Sequence, residues 1–160
     1  MDKIYCYARE MWRDKRHAKR NMEAQVNGLN RYTASLLKMY PHLESGGIYV
    51  DTSVRTFSEN FHIPPAAREL LTKIERGDHL VLSHFLALFT APKFLAFLDR
   101  QETLGITVHL MEFKVSTKTA TGRIILKVVK ELAEASKRNA YHRERSRAKR
   151  RRERERAGNR

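Results

Sequence analysis

A single cysteine in 160 residues, Cys6, leaves no partner for an internal disulfide and fits a reducing compartment. The seven histidines form no HExxH motif and no Cys/His cluster at ligand spacing. A structural zinc site of the common kinds is therefore excluded, and neither metal nor cofactor is expected. Acidic residues are scarce, with 18 Asp and Glu against 32 Lys and Arg, for a net charge of +14. Met1-Asp2-Lys3 opens on charge directly before an apolar strand, a pattern unlike the n-region and core of a signal peptide, and export is not expected. The most telling absence is serine: none occurs before Ser35.

Long apolar runs are also nearly lacking. Leu80 to Leu98 approaches the length needed to cross roughly 30 Å of hydrocarbon, but Ser83, His84, Pro92 and Lys93 interrupt it. A strand, a loop and a Pro-started helix account for the same residues without placing polar groups in lipid. No membrane partner is expected, and the cytoplasm is the natural setting, at the nucleoid if the chain binds DNA. What is present is a hydrophobic fraction of 41%, enough for one ordinary core in a chain of this length.

Ile4 to Arg9 reads as a strand. The basic stretch Arg13, Lys15, Arg16, Lys19 and Arg20 has no apolar period and reads as a loop or a helix start. From Asn21 to Tyr40, Met22, Val26, Leu29, Leu36 and Leu37 fall at helical intervals until Pro41. Ser45-Gly46-Gly47 reads as a turn into a short strand, Ile48 to Asp51, and Thr52 to Ile63 as loop. Pro64-Pro65 starts a helix carrying Ala67, Leu70, Leu71 and Ile74, with Gly77 marking its end. Asp78 to Leu82 is a third strand. Pro92 opens a helix with Phe94, Leu95, Phe97 and Leu98 as its apolar face, closed by Gly105, and Ile106 to Leu110 is a fourth strand.

Strands alternating with helices predict an α/β fold: three layers, a mostly parallel sheet of four or five strands with helices on both faces, and a long C-terminal helix. That last helix starts near Gly122, with Ile124, Val128 and Leu132 in one row and Ile125, Val129 and Ala133 in the next. The stripe stops at Ala135, and strong helix formers continue. Helix through Arg156 would run about 50 Å, longer than a compact domain of this size needs. The expected division is an α/β domain over 1–120 and a long helix with a basic extension over 121–160.

Four stretches together resemble the resolvase/invertase family of serine recombinases. They are Tyr7-Ala8-Arg9, Asp51 at a strand end, Leu70-Leu71 followed by Gly77 to Leu82, and Thr121-Gly122-Arg123 leading into a helix with Ala133-Glu134. The likeness runs over roughly residues 3 to 145 and lies in order and spacing rather than in any one motif. In that family the first strand continues Arg-x-Ser, and the serine attacks a DNA phosphodiester. Met11 stands at that place, and a thioether has no proton to lose. The family's two phosphate-binding arginines after the third strand correspond to Ala87 and Thr90, and an arginine before the second helix corresponds to Pro64. Met11, Pro64, Ala87 and Thr90 thus mark a degenerate site, with Arg9 its remnant, read either as a phosphate contact or as a structural salt bridge. Nearby Arg55 is no substitute, because a bidentate fork must be placed to a fraction of an ångström.

Other nucleophiles are weak candidates. Cys6 sits in a strand with no neighbouring His or Lys to lower its pKa, and Tyr32, Thr33 and Ser35 lie well inside a helix. Ser53 and Ser58, in a loop, leave a displaced serine open, although turn and capping chemistry explains such hydroxyls equally.

The family's long helix dimerises and lies along the DNA minor groove, which the resemblance carries to Ile124, Ile125, Val128, Val129 and Leu132 as the oligomerisation row. Residues 137 to 160 hold 12 Lys and Arg against 3 Glu, a net +9, and the rest of the chain holds +5. The expected nucleic-acid contacts are Arg9, Arg13, Arg16, Arg20, Arg138, Arg143, Arg145, Arg147, Lys149, Arg150, Arg151 and Arg152. A disordered charged tail explains the residues after Ala148 as well, and folding on nucleic acid reconciles the two. No separate helix-turn-helix domain is expected after the helix.

Three functions follow. In the first, the chain is a recombinase-like domain without the catalytic serine, binding DNA, dimerising and regulating or accompanying recombination as a homodimer, a higher oligomer or a partner of an active relative. In the second, it is an active recombinase or nuclease with a displaced nucleophile or a recruited metal. In the third, it is an RNA-binding or protein adaptor reusing the fold.

Overall fold

The structure, a computed structural model, describes residues 1–10, 15–52, 63–84, 91–125, 127, 128 and 131, and only the backbone of 15–20 and 91–95. Chain order is β1 (Lys3–Arg9), α1 (Lys15–Met39), β2 (Glu44–Asp51), α2 (Pro65–Lys73), β3 (His79–Leu82), α3 (Ala91–Thr103) and β4 (Thr107–Leu110). A 3-10 turn (Met111–Phe113) and β5 (Val115–Ser116) follow. Residues 120–125 then begin a further helix.

The sheet runs β2-β1-β3-β4-β5, parallel except for the antiparallel β4/β5 pair. β1 is an interior strand, apolar on both faces because both are covered. Its Tyr5 and Tyr7, with Leu80, Leu82, Val108 and Leu110, pack against Ala67 and Leu70 of α2 and Phe97 and Leu98 of α3. On the opposite face Ile4, Cys6, Ala8 and Val81 pack against Leu29 and Leu36 of α1. The expected three-layer, mostly parallel architecture is the one found. The apolar run from Leu80 divides between β3 and α3, and among the described residues no helix is long and apolar enough to cross a membrane.

Local boundaries differ from the sequence reading for definable reasons. Ser45-Gly46-Gly47 is not a turn but the bulged start of β2, where Ile4 pairs with Ser45 and Tyr5 with Gly47, leaving Gly46 as the extra residue. A Cβ at Gly46 would stand 2.7 Å from the Tyr5 ring, so only glycine lets that ring pass. The basic stretch after Arg13 is helical from Lys15. α2 ends at Lys73 rather than near Gly77, because Ile74 is already extended. The Asp78 carboxylate then takes the N–H of Glu75 at 2.7 Å and that of Lys3 at 2.7 Å, tying the turn to β1. Gly77, with φ +97°, turns the chain into β3.

Candidate functional site

Ligands of parallel α/β sheets gather beyond the carboxyl ends of the strands. Here that edge is formed by Arg9 of β1, Asp51 of β2, Ser83 and His84 after β3, and Met111 and Glu112 after β4. Arg9 and Asp51 are register partners, and the Glu10 N–H donates to the Asp51 carbonyl at 2.9 Å. Asp51 is the organising group. Its Oδ1 accepts from the Ala66 N–H at 3.1 Å, and its Oδ2 accepts from the Ala67 N–H at 3.1 Å and from the Tyr7 hydroxyl at 2.9 Å. The helix itself supplies no side-chain cap, since Pro64 occupies the cap position. A carboxylate from a neighbouring strand does that work, satisfying orphan donors and meeting the positive end of the helix. The α2 N-terminus, a ready anion site in many proteins, is thus already filled.

A second network fixes the end of β1. The Gln25 Nε2 amide of α1 donates to the Arg9 carbonyl at 3.3 Å, and its Oε1 accepts from the Ser83 hydroxyl at 2.8 Å. The Ser83 N–H donates to the Tyr7 carbonyl at 3.0 Å. Burial and bonding work against ionisation of the nearby nucleophile types. Ser83 is fully buried, and its proton goes to an amide oxygen rather than to a base. Burial, followed by the Asp51 charge, raises the Tyr7 phenol, with the Arg9 guanidinium opposing the shift. Burial pushes the Cys6 thiol up to about 11, partly offset by its hydrogen bond with Thr33 at 3.0 Å. No group of three or more His, Cys, Asp or Glu is placed to hold a metal among the described residues.

Of the residues singled out in the sequence, Arg9 lies in this edge at 4% exposure, offering a phosphate little surface in this conformation. Pro64 is buried at the start of α2, beside Asp51's cap. Arg16 and Arg20 belong to α1, but their side chains are not described. Ile124 is 65% exposed and Val128 50%, whereas Ile125 is half-buried against the core. Met11, Arg13, Ser53, Arg55, Ser58, Ala87, Thr90, Val129, Leu132, Arg138, Arg143, Arg145, Arg147, Lys149, Arg150, Arg151 and Arg152 lie outside the described residues. Sequence reasoning missed the Tyr7–Asp51 bond and the Gln25–Ser83 link. A signal existed only for Asp51's role as the cap of α2, as a helix opening on two prolines has no cap of its own and a strand-end carboxylate needs a partner.

The family model described as Resolvase, N terminal domain matches residues 4–158. Among solved structures the chain is similar to the N-terminal catalytic domain of TP901-1 integrase, with a TM-score of 0.58 at 15% identity, covering 86% of this chain and 98% of that one. It is also similar to a resolvase family site-specific recombinase from Streptococcus pneumoniae, with a TM-score of 0.63 at 15% identity, covering 89% of this chain and 93% of that one. At such identity the likeness concerns the fold. No curated protein sequence matches the chain.

Proposed function

The chain belongs to the resolvase N-terminal domain family, and from that membership we propose that it is a DNA-binding, dimerising domain that has lost strand cleavage. In this reading it regulates or accompanies DNA recombination in the cytoplasm, alone or paired with an active relative. The observation that carries the reading is Met11, two residues beyond Arg9, where the family's serine would stand. The chemistry near Arg9 supports the reading too: Ser83 and Tyr7 are buried and donate their protons to Gln25 and Asp51, and burial raises the Cys6 thiol. Residues 1–120 form the α/β body in this proposal, and 121–160 the dimer helix and its basic extension. Affinity comes from Arg and Lys on phosphates, so sequence preference is weak.

Two assays test this. Supercoiled DNA incubated with the protein should stay uncut and free of covalently attached protein, with or without divalent metal. A covalent 5′ linkage, or metal-dependent nicking, would restore the displaced-nucleophile reading. Deleting residues 137–160 should weaken duplex binding and flatten the plot of log K against log salt by about 0.9 for each phosphate the tail no longer neutralises. Unchanged affinity and slope would remove the tail from the account, and a preference for RNA duplexes at matched salt would favour the adaptor reading.

A further inference from the structure

On the α1 face of the sheet, two histidines occupy positions that core strands usually give to apolar residues. His79 opens β3, His109 lies in β4, and both are buried, at 7% and 3% exposure. Their rings meet directly, His109 Nε2 to His79 Nδ1 at 3.0 Å with centroids 5.0 Å apart. The C-terminal half of α1 and the turn after it close over the pair. The Tyr32 ring sets its edge against His109 at 6.0 Å, and Tyr40 against His79 at 5.5 Å. Lys118, beyond β5, acts on both imidazoles and His42, after α1, acts on His79, while Asp2 and Asp78 oppose them there.

A hydrogen bond between two imidazoles needs one donor nitrogen and one acceptor. Protonating both rings would put two N–H groups face to face, and even one proton adds a buried cation beside Lys118. We propose that the His79–His109 pair is an acid-sensitive latch holding the C-terminal half of α1 on strands β3 and β4. The direction of its titration agrees. Burial, followed by the His79 and Lys118 charges, lowers His109 to about 3, and burial, followed by Lys118 and His42, lowers His79. Closure therefore disfavours the charged form of both rings, whereas opened rings take protons below the ordinary histidine value of about 6.5. The stabilisation is therefore complete above that pH and is lost as pH falls below it. Because α1 also brings Gln25 to the Arg9 carbonyl, loosening the helix would reach the carboxyl edge of the sheet.

The test uses the full chain at pH 7 and pH 5. Imidazole nitrogen NMR should find His109 neutral at pH 5 in the closed form and His79 titrating below the ordinary histidine value. Hydrogen-exchange protection factors over residues 29–39 should fall by about 25-fold if opening admits one proton, at His109, and by at most about 600-fold if it admits two. The His79→Gln/His109→Gln variant should lose most of that fall. Where the variant does not fold, the wild-type NMR and exchange data decide alone. The proposal is overturned by rings that protonate near pH 6.5 in the closed form, by pH-independent protection over residues 29–39, or by an unchanged fall in a folded variant. A loss shared equally by β1 amides would mean global unfolding and would likewise sink a local latch.

Discussion

Removing the Asp51 carboxylate would strip α2 of its cap and leave the Tyr7 hydroxyl without its acceptor in the core. Losing a cap costs about 0.5–2 kcal/mol and an unsatisfied buried hydroxyl about 1–3 kcal/mol. Asp51→Ala should therefore lower stability by about 2–4 kcal/mol, read as a lower urea midpoint at unchanged slope. Tyr7→Phe removes only the donor and should cost about 1 kcal/mol. The double variant should lose less than the two singles summed, since both remove one bond; strict additivity would mean that the bond contributes nothing. Cys6 gives an independent check. With its thiol pushed up to about 11 and its side chain 1% exposed, it should resist a disulfide reagent at pH 8 until urea opens the fold. Immediate labelling of the native chain would contradict the buried strand position. Each of these residues was visible in the sequence as strand, hydroxyl or carboxylate. Their pairing was not, because it depends on the register between β1 and β2 and no local pattern encodes it.

Helix starts and strand edges depend on close approaches that composition conceals. Gly122 is buried at the beginning of the last helix, its N–H donating to the Thr119 hydroxyl at 3.0 Å. A Cβ there would collide with the carbonyl oxygen of Ser116 at the end of β5. Two effects compete in Gly122→Ala: alanine gains about 1 kcal/mol of helix propensity, while an overpacked contact costs typically about 1–3 kcal/mol. The obstructing atom is backbone and cannot rotate away, so the cost should win. The melting temperature should fall by several degrees, at about 2–4 °C per kcal/mol for a chain of this size. A rise would show that propensity dominates and that the helix start has room. The same logic explains which elements were legible. β1, β3 and β4 announce themselves by apolar content, and α1 and α3 by period and proline. The extension of β2 through Gly46 and the early end of α2 depend on the Tyr5 ring and the Asp78 carboxylate, partners distant in the chain. β5, only two residues long, carries no periodic signal.

Across the whole molecule, charge and exposed apolar surface divide the work of the proposed function. The net +9 of residues 137–160 was plain in the sequence, as was the apolar stripe preceding it, whereas their geometry lies mostly outside the described residues. The stripe does split at its first turns: Ile125 turns to the core, while Ile124 and Val128 turn outward and stay exposed. An outward row can be charged without opening a core, which makes Ile124→Glu/Val128→Glu a cleaner probe than any change at Ile125. If the row joins two copies, the variant should sediment as a monomer with its urea midpoint little changed. Such a dimer would also set DNA affinity, because two tails joined through one interface would act at high effective concentration, a gain of about 10²–10⁴ over one tail. The monomeric variant should therefore bind duplex at least about 100-fold more weakly at fixed salt. Its slope of log K against log salt should approach half the dimer's, since the counterions released scale with the phosphates neutralised. A variant that still dimerises would place the interface elsewhere. One that is monomeric yet keeps full affinity and slope would mean that a single tail carries all the binding, and the stripe would then serve a partner other than a second copy.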